Sequence, residues 1–145
     1  MMILYYVDSS VWLNLFKKEK NQINNIPYWK IAKDFIEKVS KDSNSKIIVS
    51  TIILKELSFI LKDKFVLAKK FLESSDYIRL IKTIPADYNL AREIELETSS
   101  VISFYDCLHI AISKRLNCIL VTRDNQMIEI AKSYINADRP ENLIA

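Results

Sequence analysis

The chain has 145 residues, half of them hydrophobic, and 21 Lys and Arg against 18 Asp and Glu give it a net charge of +3; it reads as one domain, 1–145, able to bury a sizeable core. It contains no glycine, where roughly 7% is usual, so the P-loop, the GxGxxG dinucleotide turn and the GxSxG nucleophile elbow are excluded. Two cysteines in apolar surroundings, Cys107 and Cys118, suit a reducing compartment without a disulfide framework; with no run of membrane-span length and a strand-like start instead of a signal peptide, a cytoplasmic protein is expected.

The apolar run Ile3–Val7 predicts a buried parallel strand. Residues 9–16 follow as a first helix, and Lys17–Pro27 is polar enough for a loop. Tyr28–Ser40 carries Ile31, Phe35, Ile36 and Val39 at helical spacing. Ile47–Val49 is a second strand, and Ser50 or Thr51 caps a helix running to about Lys62. Lys64–Glu73 is a further helix with Phe65, Ala68, Phe71 and Leu72 inward. Ile78–Ile84 is the third strand. Pro85 begins a helix to about Thr98, and Ser103–Leu116 forms the next. Asn117 stands in for glycine as a left-handed cap. Ile119–Val121 is the fourth strand, Asn125–Tyr134 the last long helix, and a short fifth strand follows near Ile135. Strands alternating with helices imply an α/β chain: a three-layer α/β/α sandwich around a central parallel sheet of four to five strands.

Four acids stand out against this frame. Asp8 and Asp124 directly follow strands, where open α/β sheets bind ligands. Asp106 opens a helix. Glu56 lies with Ile53, Leu57 and Ile60 on an apolar helix stripe. Three of them adjoin hydroxyl residues: Ser9 and Ser10, Ser103, and Thr122. Taken singly, Asp8 and Asp124 fit helix N-caps and Ser103–Asp106 fits a capping box. Capping does not account for Glu56, which on a buried stripe needs a partner, such as a lysine from a neighbouring element. Together the four would repel strongly at one site, and divalent cations resolve that. Oxygen-only ligation favours Mg²⁺ or Mn²⁺ over zinc. Setting the four aside leaves 21 basic against 14 acidic residues, a +7 surround suited to polyanions. His109 and Cys107, two positions apart, point to different helix faces, so a Cys–His pair has no support; His109 reads as a core, dimer-face or satisfied surface residue.

These residues resemble the PIN-domain ribonucleases over nearly the whole chain. Tyr6-Val7-Asp8-Ser9-Ser10-Val11-Trp12-Leu13 looks like the family's first motif. Ile53-Leu54-Lys55-Glu56-Leu57 looks like the helix bearing the second acid. Tyr105-Asp106-Cys107-Leu108-His109-Ile110-Ala111 is similar to the third motif, and Leu120-Val121-Thr122-Arg123-Asp124 to the fourth. Arg139-Pro140-Glu141-Asn142 also has the family's look. Met127 departs from the aromatic residue, and Asn117 from the glycine, common at those places.

The resemblance implies a Mg²⁺- or Mn²⁺-dependent endoribonuclease, most like a VapC-type toxin. RNA would be its substrate, a VapB-like antitoxin its partner, and a homodimer its state. Asp8 and Asp106 would bind the principal metal, and Glu56 and Asp124 would complete the site. Ser10 and Thr122 would orient carboxylates or waters. In-line attack would leave a 5′-phosphate. Arg123 could reach a substrate phosphate, and Lys17, Lys18, Lys20, Lys62 and Lys64 could line the RNA path; the plain alternative for each is a solvated cation. Trp12 or Tyr28–Trp29 could serve a dimer face, although partial burial in the core is the favoured reading for both tryptophans. The alternatives are an RNA-processing or structure-specific nuclease without a toxin role, and an inactive PIN-like domain that binds RNA or protein. A phosphoacceptor receiver domain shares the sheet type and length, but wants an acidic pair where this chain has one acid and two serines.

Overall fold

The structure is a computed structural model and describes residues 1–19 and 25–144. The order of elements is β1 (Ile3–Val7), α1 (Ser9–Lys17), α2 (Tyr28–Lys41), β2 (Ser45–Ser50), α3 (Thr51–Leu61), α4 (Phe65–Ser74), β3 (Ile78–Ile81), α5 (Pro85–Glu97), α6 (Phe104–Arg115), β4 (Ile119–Val121), α7 (Asn125–Ala131), β5 (Ala137–Asp138) and α8 (Glu141–Ile144). One turn of 3-10 helix, Lys62–Lys64, joins α3 to α4.

The five strands form one sheet in the order β3-β2-β1-β4-β5. Every pairing is parallel. β1 lies at the centre, with Tyr6 opposite Ile48 of β2 and Leu120 of β4. A strand flanked on both sides and covered on both faces needs apolar residues throughout, and this is why Ile3–Val7 is a continuous apolar run. From β1 the chain builds outward to β2 and β3, then crosses back to β4 and β5 on the other side. The order therefore reverses between β1 and β4, and in open α/β sheets the carboxyl ends of such a pair frame a crevice.

The helices cover the sheet with the faces their spacing predicts. Phe35, Ile36 and Val39 of α2 are buried, as are Ala68 and Leu72 of α4. α6 is buried from Cys107 through Ser113. The core joins Tyr6, Val11, Trp12, Ile47, Ile53, Leu57, Leu108 and Ile110. Both thiols lie within it: Cys107 and Cys118 are free, and burial pushes them up to about 11 and about 12, so they are inert at neutral pH. Among the described residues no helix is long and apolar enough to cross a membrane.

Several boundaries differ from the sequence reading. The third strand stops at Ile81, not Ile84, because its partner β2 ends at Ser50, which pairs with Ile81. Ile84 instead enters the start of α5, where its amide donates to Asp87 Oδ2. α7 ends at Ala131, not Tyr134: bonds from Ser133 to Ile130 and from Tyr134 to Ala131 tighten the turn that leads into β5. That strand is Ala137–Asp138, two residues beyond the predicted place. Ile60 is exposed, and the buried face of α3 is made by Ile52, Ile53, Leu57 and Leu61. Trp12 is fully buried and cannot offer a dimer face. Residues 20–24 of the predicted loop Lys17–Pro27, Lys20 among them, lie outside the described residues.

Candidate metal centre

Asp8 leaves the end of β1 level with Thr122 at the end of β4, since Val7 pairs with Val121. It occupies the N-cap position of α1, yet its side chain makes no capping bond. Its Oδ2 instead accepts hydrogen bonds from Ser10 Oγ and Thr122 Oγ1, both at 2.9 Å. Oδ1 takes no hydrogen bond among the described residues and faces His109 Nε2 at 3.9 Å. Thr122 Oγ1 also accepts from the Asp124 amide at 3.2 Å, and Ser10 Oγ from the Arg123 amide at 3.3 Å. Two hydroxyls thus tie the segment after β4 to the acid after β1.

Glu56 rides on the second turn of α3, whose N-cap is Ser50: Ser50 Oγ accepts from the Ile53 amide. The Glu56 carboxylate bonds not to a lysine, as the sequence allowed, but to His109. Its Oε1 lies 2.8 Å from Nε2. The other ring nitrogen, Nδ1, is 2.6 Å from the Tyr6 hydroxyl, which is 2.7 Å from Ser50 Oγ. The chain of bonds closes on itself: Ser50, Tyr6, His109 and Glu56 link α3 to β1 to α6 and back to α3.

His109 is fully buried. Burial alone would lower its pKa, but the Glu56 hydrogen bond and the negative charges of Asp8, Glu56 and Asp106 outweigh it, and the imidazole stands above its ordinary value. Protonated, it donates through both nitrogens, to Glu56 and to Tyr6. Burial, with the nearby charges of Asp8 and Glu56, keeps the Tyr6 phenol well above its usual range, so it stays neutral and donates to Ser50.

The remaining two acids sit further out. Asp106 lies in the first turn of α6, where Ser103 Oγ accepts its amide at 3.1 Å, the observed half of the predicted box. Partial burial and then the charge of Asp8, with a smaller push from Asp124, raise its carboxyl above the usual range; His109 and a bond with Ser103 pull the other way. Asp106 is therefore within electrostatic reach of both neighbours. Asp124 is exposed and does cap its helix: Oδ1 accepts from the amides of Gln126 and Met127.

The acids are drawn together unequally: Thr122 ties Asp8 to the segment that carries Asp124, and Asp106 feels the charge of both. Asp8, Glu56 and His109 form the tight group, with ligand atoms all within 4.8 Å of one another. The donor set suits a hard divalent cation: Asp8 Oδ1 is free of hydrogen bonds, and the other acids offer only carboxylate oxygens. The Glu56 bond and the surrounding negative charges favour the protonated imidazole of His109, which would offset part of the cluster's repulsion from within. In the sequence, Glu56 on an inward face required a partner and His109 stood within the segment that resembles the third family motif, but nothing local joined the two.

Arg123, named as a candidate for a substrate phosphate or a solvated cation, is engaged within the fold. Its Nε donates to Asn14 Oδ1 at 3.1 Å, and NH1 and NH2 grip Glu141 at 3.1 and 3.0 Å. Its guanidinium lies 3.9 Å from the Tyr28 ring centroid. It is a clamp between α1, α2 and α8. Lys17 is similarly engaged, with Glu19 at 3.5 Å.

The family model of the PIN domain matches residues 5–133. Similar solved structures include VapBC2 from Rickettsia felis bound to a DNA fragment from its promoter, at TM-score 0.70 and 17% identity over 94% of this chain and 98% of that one. VapBC-1 from nontypeable Haemophilus influenzae aligns at TM-score 0.68 and 16% identity over 95% and 98% of the two chains. DNA-bound VapBC from Salmonella typhimurium aligns at TM-score 0.68 and 14% identity over 96% and 99%. At such identities the likeness is one of fold. Curated protein sequences contain no significant match.

Proposed function

This chain belongs to the PIN-domain family, and from that membership we propose that it is a Mg²⁺- or Mn²⁺-dependent endoribonuclease acting as the toxin of a type II toxin–antitoxin pair. The observation that supports the reading is the tight group of Asp8, Glu56 and His109 at the carboxyl end of the sheet, with Asp124 following β4 and Asp106 under the charge of Asp8 and Asp124. Asp8 and Asp106 hold the principal ion, with Glu56 and Asp124 completing its surroundings. A divalent ion there lowers the pKa of a bound water and offsets charge developing on the phosphate.

The chain's own groups do the rest. Ser10 and Thr122 pin Asp8 Oδ2 and leave Oδ1 for the ion. His109 holds Glu56 Oε1, leaving Oε2. Asp124 commits Oδ1 to α7 and keeps Oδ2. His109 is no general base, because both its nitrogens are engaged in buried bonds.

The proposed partner is a VapB-like antitoxin, as the named VapBC assemblies of similar fold suggest. An apolar cleft of about 520 Å³ between α1 and α4, lined by Leu15, Phe16, Lys64, Leu67, Ala68 and Phe71, is a fitting place for it. Leu67 there is 75% exposed, so the cleft presents apolar surface to a partner. A homodimer is part of the same proposal.

One observation favours a second reading, a domain that binds RNA or protein without cutting: Glu56 Oε1 and Asp124 Oδ1 are already occupied within the fold. A single experiment separates the two. Purified Asp8→Asn protein should lose metal-dependent cleavage of single-stranded RNA while its circular dichroism matches the parent. Cleavage at the parent rate would refute the catalytic role.

A further inference from the structure

A strip of aromatic rings and cations adjoins the acids Glu56 and Asp106 along α3, α5 and α6. Lys55 immediately precedes Glu56, and Tyr105 immediately precedes Asp106. The Lys55 ammonium stands over the Tyr105 ring, 5.9 Å from its centroid. The same two helices that meet through Glu56 and His109 thus meet again at the surface through these two residues. Tyr105 packs edge-on to Phe104 at 6.4 Å, and Phe104 stacks with Tyr88 of α5 at 6.3 Å. The Arg92 guanidinium covers the Phe104 ring at 5.0 Å.

Two features set the strip apart from an ordinary solvated surface. Tyr105 and Tyr88 are 43% and 38% exposed, so broad ring surface faces water beside an acidic site. Among the described residues, neither Lys55 nor Arg92 has an ion-pair or hydrogen-bond partner; each rests on a ring. A cation held over a ring, with no carboxylate to satisfy it, remains available to a phosphate. Half-exposed rings interleaved with cations are the composition that holds single-stranded nucleic acid: bases stack on the rings and the backbone lies against the charges.

We propose that the exposed rings of Tyr105 and Tyr88, braced by Phe104, and the cations Lys55 and Arg92 form a stacking platform for single-stranded RNA that leads the strand to the acids. The proposal rests on the nuclease reading for its choice of ligand. It differs from the sequence-based assignment of the RNA path to Lys17, Lys18, Lys20, Lys62 and Lys64. Here the specificity is for unpaired bases, since a duplex hides their faces from the rings.

The test uses the full chain without divalent metal, so that binding is read apart from cleavage. Fluorescence anisotropy with a labelled 12-nucleotide single strand of mixed sequence should show Tyr105→Ala weakening binding about tenfold, the scale of one lost base stack. Tyr105→Phe, which keeps the ring, should restore it. Lys55→Ala and Arg92→Ala should each flatten the dependence of log affinity on log salt by roughly 0.7. Affinity for duplex RNA of the same length should not change with Tyr105→Ala.

If Tyr105→Ala binds the single strand as the parent does, the platform is wrong, even where Asp8→Asn has abolished cleavage and the nuclease reading stands. If the parent never cleaves but Tyr105→Ala loses the single strand and Tyr105→Phe regains it, the platform stands and the nuclease reading falls. If light scattering shows Tyr105→Ala halving the mass of the parent with RNA affinity unchanged, the strip is a contact between two copies and the proposal is overturned.

Discussion

A buried imidazole among carboxylates shapes how this site responds to pH. Burial lowers the His109 pKa, but the Glu56 bond and the charges of Asp8, Glu56 and Asp106 raise it further than burial depresses it. The stabilisation this proton gives is complete below the ordinary value of 6.5 and is lost as pH rises through the higher folded value. Asp106, whose carboxyl is also raised, acts with the same sign in a lower window. The metal-free protein should therefore melt at progressively lower temperature as pH is raised above about 6.5, and Glu56→Gln should flatten that slope. A slope unchanged in Glu56→Gln would remove the Glu56–His109 pair from the account. Tyr6→Phe deletes one oxygen from the closed chain of bonds and leaves buried His109 Nδ1 without its partner. It should cost roughly 1–3 kcal/mol, read by urea unfolding, while the acids remain in place. At this scale the sequence told which acids to watch. It did not tell which of their oxygens were free, because that depends on Ser10, Thr122 and His109, and the last two arrive from distant parts of the chain.

At the scale of elements, Asp124 shows how one residue can serve both its helix and the site. It caps α7 through Oδ1. Asn caps as well as Asp, so Asp124→Asn should keep the stability and lower metal-dependent cleavage. Asp124→Ala should lose both, with about 0.5–2 kcal/mol of stability. Equal cleavage by Asp124→Asn and the parent would reduce Asp124 to a cap. The absence of glycine has a local consequence too. Lys18, Asn25, Lys62, Ser99, Ser100 and Asn117 all take positive φ. Asn117 was readable as such a position, being the preferred substitute. Lys62 was not, and at φ 52 and ψ −117 it sits outside the left-handed well where α3 ends. Lys62→Gly should stabilise the chain by on the order of 1 kcal/mol in thermal or denaturant unfolding; a destabilisation would show that the lysine side chain does more there than its backbone costs. Apolar periodicity placed the helices correctly, since α2 and α4 bury the residues at that spacing. It misplaced the ends of β3 and α7, where the limit is set by a neighbouring strand and by the turn into β5, neither of which local pattern records.

The whole molecule turns four separated segments into one site by topology. Alternation of strands and helices made the parallel sheet legible, and with it the expectation that acids after strands share an edge. The strand order β3-β2-β1-β4-β5 was not legible, and it is this order that sets Asp8 beside Thr122. It also brings α3 and α6 together across β1, so that Glu56 meets His109 and Lys55 meets Tyr105. Arg123 shows the opposite case: a cation beside a catalytic motif in the sequence is, in the fold, a clamp on Glu141 and Tyr28. The most direct test of the acid site is calorimetric titration of Mn²⁺ into the metal-free parent and into Asp8→Asn at one pH. The account predicts a binding isotherm for the parent that disappears in Asp8→Asn, whose melting temperature is maintained. Indistinguishable isotherms for the two proteins would contradict it.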